Sequence, residues 1–128
     1  MYFEDLTPYT YTSMRLPDDA PSLVNCGWLD GEHDYVHGYV SPELIERLLR
    51  LAARYEVRTR GFHCCPFCKD CNVSMPLGDE DVHLGSAEIR ITSGATTYVA
   101  PNLLPHYIEK HQYMPPQEVL RAIGTVSV

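Results

Sequence analysis

The sequence predicts an α+β fold: a small antiparallel sheet with a β-hairpin, packed by about three helices, and a knuckle–hairpin–helix subregion in its second half. Three observations carry this reading. Residues 87–99 alternate apolar and polar side chains about a Ser93-Gly94 turn. Residues 41–54 place apolar side chains at helical spacing behind a Ser-Pro-Glu start. The run His63-Cys64-Cys65-Pro66-Phe67-Cys68-Lys69-Asp70-Cys71 holds four of the chain's five cysteines beside a histidine. Such crowding suits a single metal ion better than a set of disulfides, because two cysteines in a tight knuckle can aim both thiolates at one centre.

At 128 residues the chain reads as one domain, 1–128, with residues 1–22 as an irregular N-terminal arm and 61–113 as the metal-binding subregion. The arm is rich in Tyr, Thr, Pro and Asp, with a short strand expected near Tyr9–Thr12 and its aromatics laid against the body. Leu23 to Leu29 reads as a short apolar strand closed by the Asp30-Gly31 turn, and a loop with His33 and His37 follows. At Ser41-Pro42-Glu43 the serine caps free amides, the proline suits the first helical position and the glutamate faces the positive end of the dipole. That helix should run to about Arg54. Leu44, Ile45, Leu48, Leu49 and Ala52 form its buried stripe, opposite Arg47, Arg50 and Arg54.

Residues 56–62 read as a strand leading into the cysteine run, and Pro76 to Gly85 as an acidic loop. After the 87–99 hairpin, Pro101-Asn102 open a helix to about His111, Pro115-Pro116 break the chain, and Gln117–Ile123 form a last short helix.

The order knuckle, hairpin, helix selects the ligands. Small zinc modules take two ligands from a Cys-x-x-Cys turn and two from a helix behind a hairpin, which points to Cys65, Cys68, His106 and His111. Five steps on an ideal helix do not put both histidines on one face, so one of them is expected past the helix end. His63 and Cys71 are the reserves, and a local set of His63, Cys65, Cys68 and Cys71 is the alternative. An iron–sulfur cluster would use Cys65, Cys68 and Cys71 with Cys26 as a distant fourth thiolate. Cys65-Pro66-Phe67-Cys68 also looks like a glutaredoxin active-site tetrapeptide, but residues 69–85 lack the long helix whose dipole would activate the first thiol.

The other constellations are weaker. His33 and His37 lie between glycines in a loop and lack the intervening acid of a metallopeptidase, although Asp30 and Glu32 could orient His33. The arginines from Arg47 to Arg60 read first as a solvated face. The chain has no nucleophile elbow and no phosphate-binding glycine loop. A metal-dependent hydrolase or nuclease would need an open coordination position beside a base, for which Glu88 and Glu109 are the candidates. Four good protein ligands leave no opening, so structural zinc is preferred.

The formal charge is −7, and residues 1–34 hold seven acids and one base. That imbalance disfavours nucleic acid and suits a basic protein partner. Without a membrane-length apolar run or an N-terminal signal, the expected location is the cytoplasm, where the cysteines would remain thiols unless a metal or a catalytic cycle used them.

Several segments together resemble a family of small uncharacterised bacterial proteins known only as a domain of unknown function. They are Gly27-Trp28-Leu29-Asp30 with His33, Gly61-Phe62-His63 with Cys65 and Cys68, Ala87-Glu88-Ile89-Arg90-Ile91, Tyr98 with Ala100-Pro101, and His106-Tyr107 with His111, Tyr113 and Pro115-Pro116. The resemblance ranks His63, Cys65, Cys68, His106 and His111 above the other cysteines and implies no reaction. Cys26, His37, Cys64 and Cys71 stand outside its pattern. The role that follows is a zinc-stabilised protein-interaction module, immunity-like or adaptor. The metal-dependent hydrolase or nuclease is the alternative, and a thiol redox protein acting through Cys65 and Cys68 is a lesser one.

Overall fold

The computed structural model describes residues 2–9, 22–54, 57–58 and 63–126. Among these residues two sheets and three helices are built in the order β1 (Ser22–Asn25), α1 (Pro42–Ala52), β2 (Val57–Arg58), β3 (Ser74–Leu77), β4 (Glu80–His83), β5 (Ala87–Ser93), β6 (Thr96–Pro101), α2 (Leu104–His111) and α3 (Gln117–Thr125). The larger sheet has the order β1-β6-β5-β2. Its centre is the β5–β6 hairpin, antiparallel with Ile91 opposite Tyr98 and Ile89 opposite Ala100, and β2 adds to β5 in the same sense. β1 joins the other edge parallel to β6, which the long excursion through the rest of the chain between them permits.

The period-two alternation of the hairpin sorts its side chains onto two faces. Ile89, Ile91, Tyr98 and Ala100 belong to the main core with Leu48, Leu104, Val119 and Ile123 from the helices. Val99 points the other way, into a smaller cluster with Tyr9 and Trp28 that Phe3 and Leu23 also join. Edge-on packing of Phe3 against Trp28, with ring centres 5.7 Å apart, lays the described part of the arm on that second face. Glu88 and Arg90 share the face. Glu88 is only 4% exposed and accepts a 2.8 Å hydrogen bond from the Tyr9 hydroxyl, so a polar pair is buried beneath the arm.

α1 begins as its sequence dictates: Ser41 is the N-cap, its hydroxyl accepts from the Leu44 amide, and Pro42 occupies the first turn. It ends at Ala52, two residues short of the expected Arg54. Arg47 turns from the solvent to the end of α3, donating to the Ile123 carbonyl at 2.6 Å and to that of Val126. It therefore satisfies carbonyls that a helix end leaves without partners. Arg50 does face solvent, paired with Glu46 at 3.0 Å.

The segment expected as an acidic loop, Pro76 to Gly85, is instead mostly a hairpin. β3 and β4 pair antiparallel around Gly78-Asp79, with Met75 opposite Val82. Both of those residues and Leu84 are buried, an every-second-residue pattern that the acids Asp79, Glu80 and Asp81 disguise. The strand expected near Tyr9–Thr12 lies mostly outside the described residues, as does most of the one expected over 56–62. Among the described residues no helix is long and apolar enough to cross a membrane.

Two backbone joints bring the knuckle to α2. His63 donates its amide to the Gly85 carbonyl at 2.7 Å, and the Gly85 amide donates to Asn102 Oδ1 at 2.6 Å. Asn102 lies two residues before α2, so three distant segments meet at Gly85. Gly85 has a φ of +106°, and a Cβ there would stand 2.7 Å from the His63 carbonyl oxygen. Gly85→Ala should therefore destabilise the fold by about 2 kcal/mol or more, through positive-φ strain and a backbone clash. Chemical denaturation would measure it; an unchanged midpoint would show that the joint has room to relax.

Candidate metal centre

The knuckle is formed by local hydrogen bonds. The Cys65 amide donates to the Asp70 carbonyl and the Lys69 amide to the Cys65 carbonyl, both at 2.9 Å, with Lys69 in the left-handed region at φ 61°. Pro66-Phe67-Cys68 form the turn, which leaves Cys65 buried and Cys68 exposed.

α2 supplies the opposite half. His106 is buried within the helix and His111 is its last residue, followed by Gln112 in the left-handed conformation. Both histidines are thus helical, and neither lies beyond the end. Their positions are roughly 140° apart around an ideal helix, yet the rings meet with centres 5.0 Å apart because each reaches toward a different cysteine of the knuckle. Cys65 Sγ lies 3.3 Å from His111 Nε2, and Cys68 Sγ lies 3.5 Å from His106 Nε2. One ligand atom from each of Cys65, Cys68, His106 and His111 falls within 4.8 Å of all the others, a cluster that could hold a metal ion.

The donor set and its spacing fit a tetrahedral ion. Metal–sulfur bonds of about 2.3 Å and metal–nitrogen bonds of about 2.0–2.1 Å at tetrahedral angles place sulfur and nitrogen about 3.6 Å apart. The two sulfur–nitrogen contacts match such tetrahedron edges. Burial holds the pKa of His106 below the ordinary histidine value, helped by His111, and burial does the same to His111. Both shifts favour the neutral ring that ligates metals. Burial pushes the Cys65 thiol up, against the pull of the Cys68 and Phe67 backbone amides. An incoming cation displaces that proton.

Aromatic side chains wall the cluster. Phe67 packs on His111 with ring centres 5.0 Å apart and edge-on against Tyr107, while Tyr35 contacts Phe67 and donates its hydroxyl to the His111 carbonyl at 2.8 Å. Tyr35 and Phe67 escaped the sequence reading; the only signal for Phe67 was its place inside the Cys-x-x-Cys turn.

The reserve ligands are not in this cluster. Cys71 is bonded to Cys64 as a disulfide, which removes it as a thiolate ligand and corrects the expectation that every cysteine outside a metal or catalytic site is a thiol. His63 lines a separate cavity of about 90 Å³ with Cys64, Asp30 and Trp28. The local His63, Cys65, Cys68, Cys71 set is therefore not the one that the structure gathers. Cys26, the distant thiolate of the iron–sulfur alternative, is fully buried beside the Tyr113 hydroxyl, and burial pushes its thiol up to about 12. Of the two candidate bases, Glu88 is engaged by Tyr9 beneath the arm, and Glu109 is exposed beside Lys110 and near enough to His106 to act on its charge.

The loop histidines are held locally. Asp30 Oδ1 lies 2.8 Å from His33 Nδ1 and also accepts the amides of Glu32 and His33, while Tyr2 stacks on the His33 ring at 3.9 Å. His37 stacks on Tyr35. Arg60 lies outside the described residues.

The family model described as Domain of unknown function (DUF7919) matches residues 1–124. No curated protein and no solved structure matches the chain.

Proposed function

Because the chain belongs to that family of unknown function, its role must be read from its own residues, and we propose that it is a zinc-stabilised, cytoplasmic protein-interaction module for a basic partner, of adaptor or immunity-like type. The observation that carries the zinc reading is the convergence of two cysteine sulfurs and two histidine nitrogens within 4.8 Å. Four protein donors make a closed shell, the mark of structural zinc, whereas catalytic zinc keeps a position for water. Bound there, the ion would cross-link the knuckle to α2 and fasten together segments about forty residues apart in the chain. Cys65 and His106 would hold it from the buried side, and Cys68 and His111 from the outer one.

The partner reading rests on charge. Glu4, Asp5 and Asp34 line one shallow depression of about 230 Å³ with Tyr2, Phe3, Tyr35 and Val36. Glu4 and Asp34 are exposed on its rim, Glu32 is exposed nearby in sequence, and Val36 is 67% exposed. Carboxylates around aromatic walls suit lysine or arginine side chains. Asp5 is reserved for the fold, since it accepts from the Gly27 amide and the Tyr113 hydroxyl. The test is recovery of binding partners from the native host with wild type and with Glu4→Gln/Glu32→Gln/Asp34→Asn. The variant should lose about tenfold or more in recovery, and added salt should weaken the wild-type complex. Equal recovery that ignores salt would contradict the acidic surface without touching the metal centre.

A metal-dependent hydrolase or nuclease remains the rival from another class. It needs three protein ligands and a water, so a variant-insensitive fourth ligand together with metal-dependent hydrolysis would favour it.

A further inference from the structure

The disulfide has an unusual position relative to the metal cluster. Cys64 and Cys71 close a ring of eight residues, and both candidate thiolate ligands, Cys65 and Cys68, lie inside it. Within the ring two backbone bonds shape the knuckle, Cys65 to Asp70 and Lys69 to Cys65. Both bridging cysteines are exposed, as are Lys69, Asp70 and Asn72, so water and small thiols reach this side of the ring. Cys65, by contrast, is buried against the body. The bridge is therefore a solvent-exposed covalent clasp around the turn that carries both candidate thiolates, one buried and one exposed.

We infer that Cys64–Cys71 is a thiol-exchange site, with small thiols or dithiols as its co-reactants, and that its oxidation state sets how tightly the adjoining centre holds its metal. The inference rests on the metal reading above. Reduction consumes two electrons from a dithiol. A reductant thiolate attacks one bridge sulfur, forming a mixed disulfide while the other cysteine leaves as a thiolate. The reductant's second thiol then displaces the first cysteine, so the protein gains two thiols and the reductant becomes a disulfide.

The consequence for the metal follows from chain entropy. A short closed ring holds Cys65 and Cys68 at a spacing that the metal would otherwise have to impose, and opening it returns that ordering cost to the binding step. Metal affinity should fall by about tenfold or more on reduction. His106 and His111, carried by α2, are unaffected by the change, so the site loosens on its knuckle side alone.

The experiment compares zinc affinity, by competition with a chromophoric chelator, in three samples: bridged wild type, wild type reduced with a phosphine, and Cys64→Ser/Cys71→Ser. Thiol counting in denaturant accompanies it. The bridged protein should show three free thiols and bind zinc about tenfold more tightly than the other two, and reductant should leave the double variant unchanged. Equal affinity in bridged and reduced wild type would overturn the inference while leaving the metal centre standing. Five free thiols in protein purified without reductant would also overturn it. If no sample binds zinc, the metal reading itself fails. Because the reduced wild type carries the comparison independently, poor folding of the double variant would not decide the outcome.

Discussion

Cys65→Ser should strip the metal from the purified protein and lower its melting temperature by on the order of 15 °C. Cys65 is the buried member of the cluster, held by the knuckle's own hydrogen bonds and 3.3 Å from His111 Nε2. A serine there keeps the volume nearly constant but replaces a thiolate with a hydroxyl that is a poor zinc ligand, so the loss reports coordination more than packing. A ligand held at about a thousand times its dissociation constant stabilises by about 4 kcal/mol. For a domain of this size that corresponds to roughly 10–20 °C. The sheet and α1 retain their own core, so the variant should remain folded in part and lose order chiefly around residues 63–72 and α2. Thermal unfolding followed by circular dichroism, with and without added zinc, would measure it. A variant that melts with wild type and still responds to zinc would remove Cys65 from the ligand set.

Leu104→Ala should destabilise by about 2–5 kcal/mol through a cavity at the root of α2. Leu104 is the first residue of that helix and fully buried. Its Cδ1 fills the space that a Cβ on Gly27 would need, and Gly27 itself has a φ of +75°. The site is thus shaped from both sides, which limits how far it can collapse when the side chain is shortened. His106 lies two residues further on, so the same variant should also weaken zinc binding, whereas an equally buried residue on α1, Leu48, should cost stability alone when truncated. Urea midpoints and chelator competition on Leu104→Ala and Leu48→Ala would separate the effects. Equal zinc affinities in the two would show that α2 is positioned by the metal rather than by its packing.

Local signals made much of this architecture legible. Ser41-Pro42-Glu43 starts a helix wherever it precedes an apolar stripe, and the 87–99 alternation is a hairpin whose two faces the structure covers with different partners. The grouping of Cys65, Cys68, His106 and His111 was legible for another reason: Cys-x-x-Cys and two histidines on a helix suggest one tetrahedron, and the structure brings those four donors into a cluster that could hold a metal ion.

Part of what the sequence hid depends on contacts remote in the chain, and part is local but masked by neighbouring residues. The parallel pairing of β1 with β6 has no local signature, because neither strand's pattern encodes its neighbour's direction. Pro76 to Gly85 reads as a loop because Pro76 and a run of acids outweigh the alternation of Met75, Val82 and Leu84, yet Pro76 is tolerated in a two-stranded ribbon with open edges. Arg47 looked like one more solvated arginine until α3 ended beside it. The Cys64–Cys71 bridge was concealed by its neighbours, since the same crowding that signals a metal argued against a disulfide and only the folded ring shows that the run serves both.

The most direct test of the account is the zinc content per chain, by elemental analysis, of the native protein beside its His106→Ala variant. The account predicts one zinc per native chain and its loss from the variant, because the proposed ion would be held between the knuckle and α2. A native protein without metal, or a variant that retains the full complement, would contradict it.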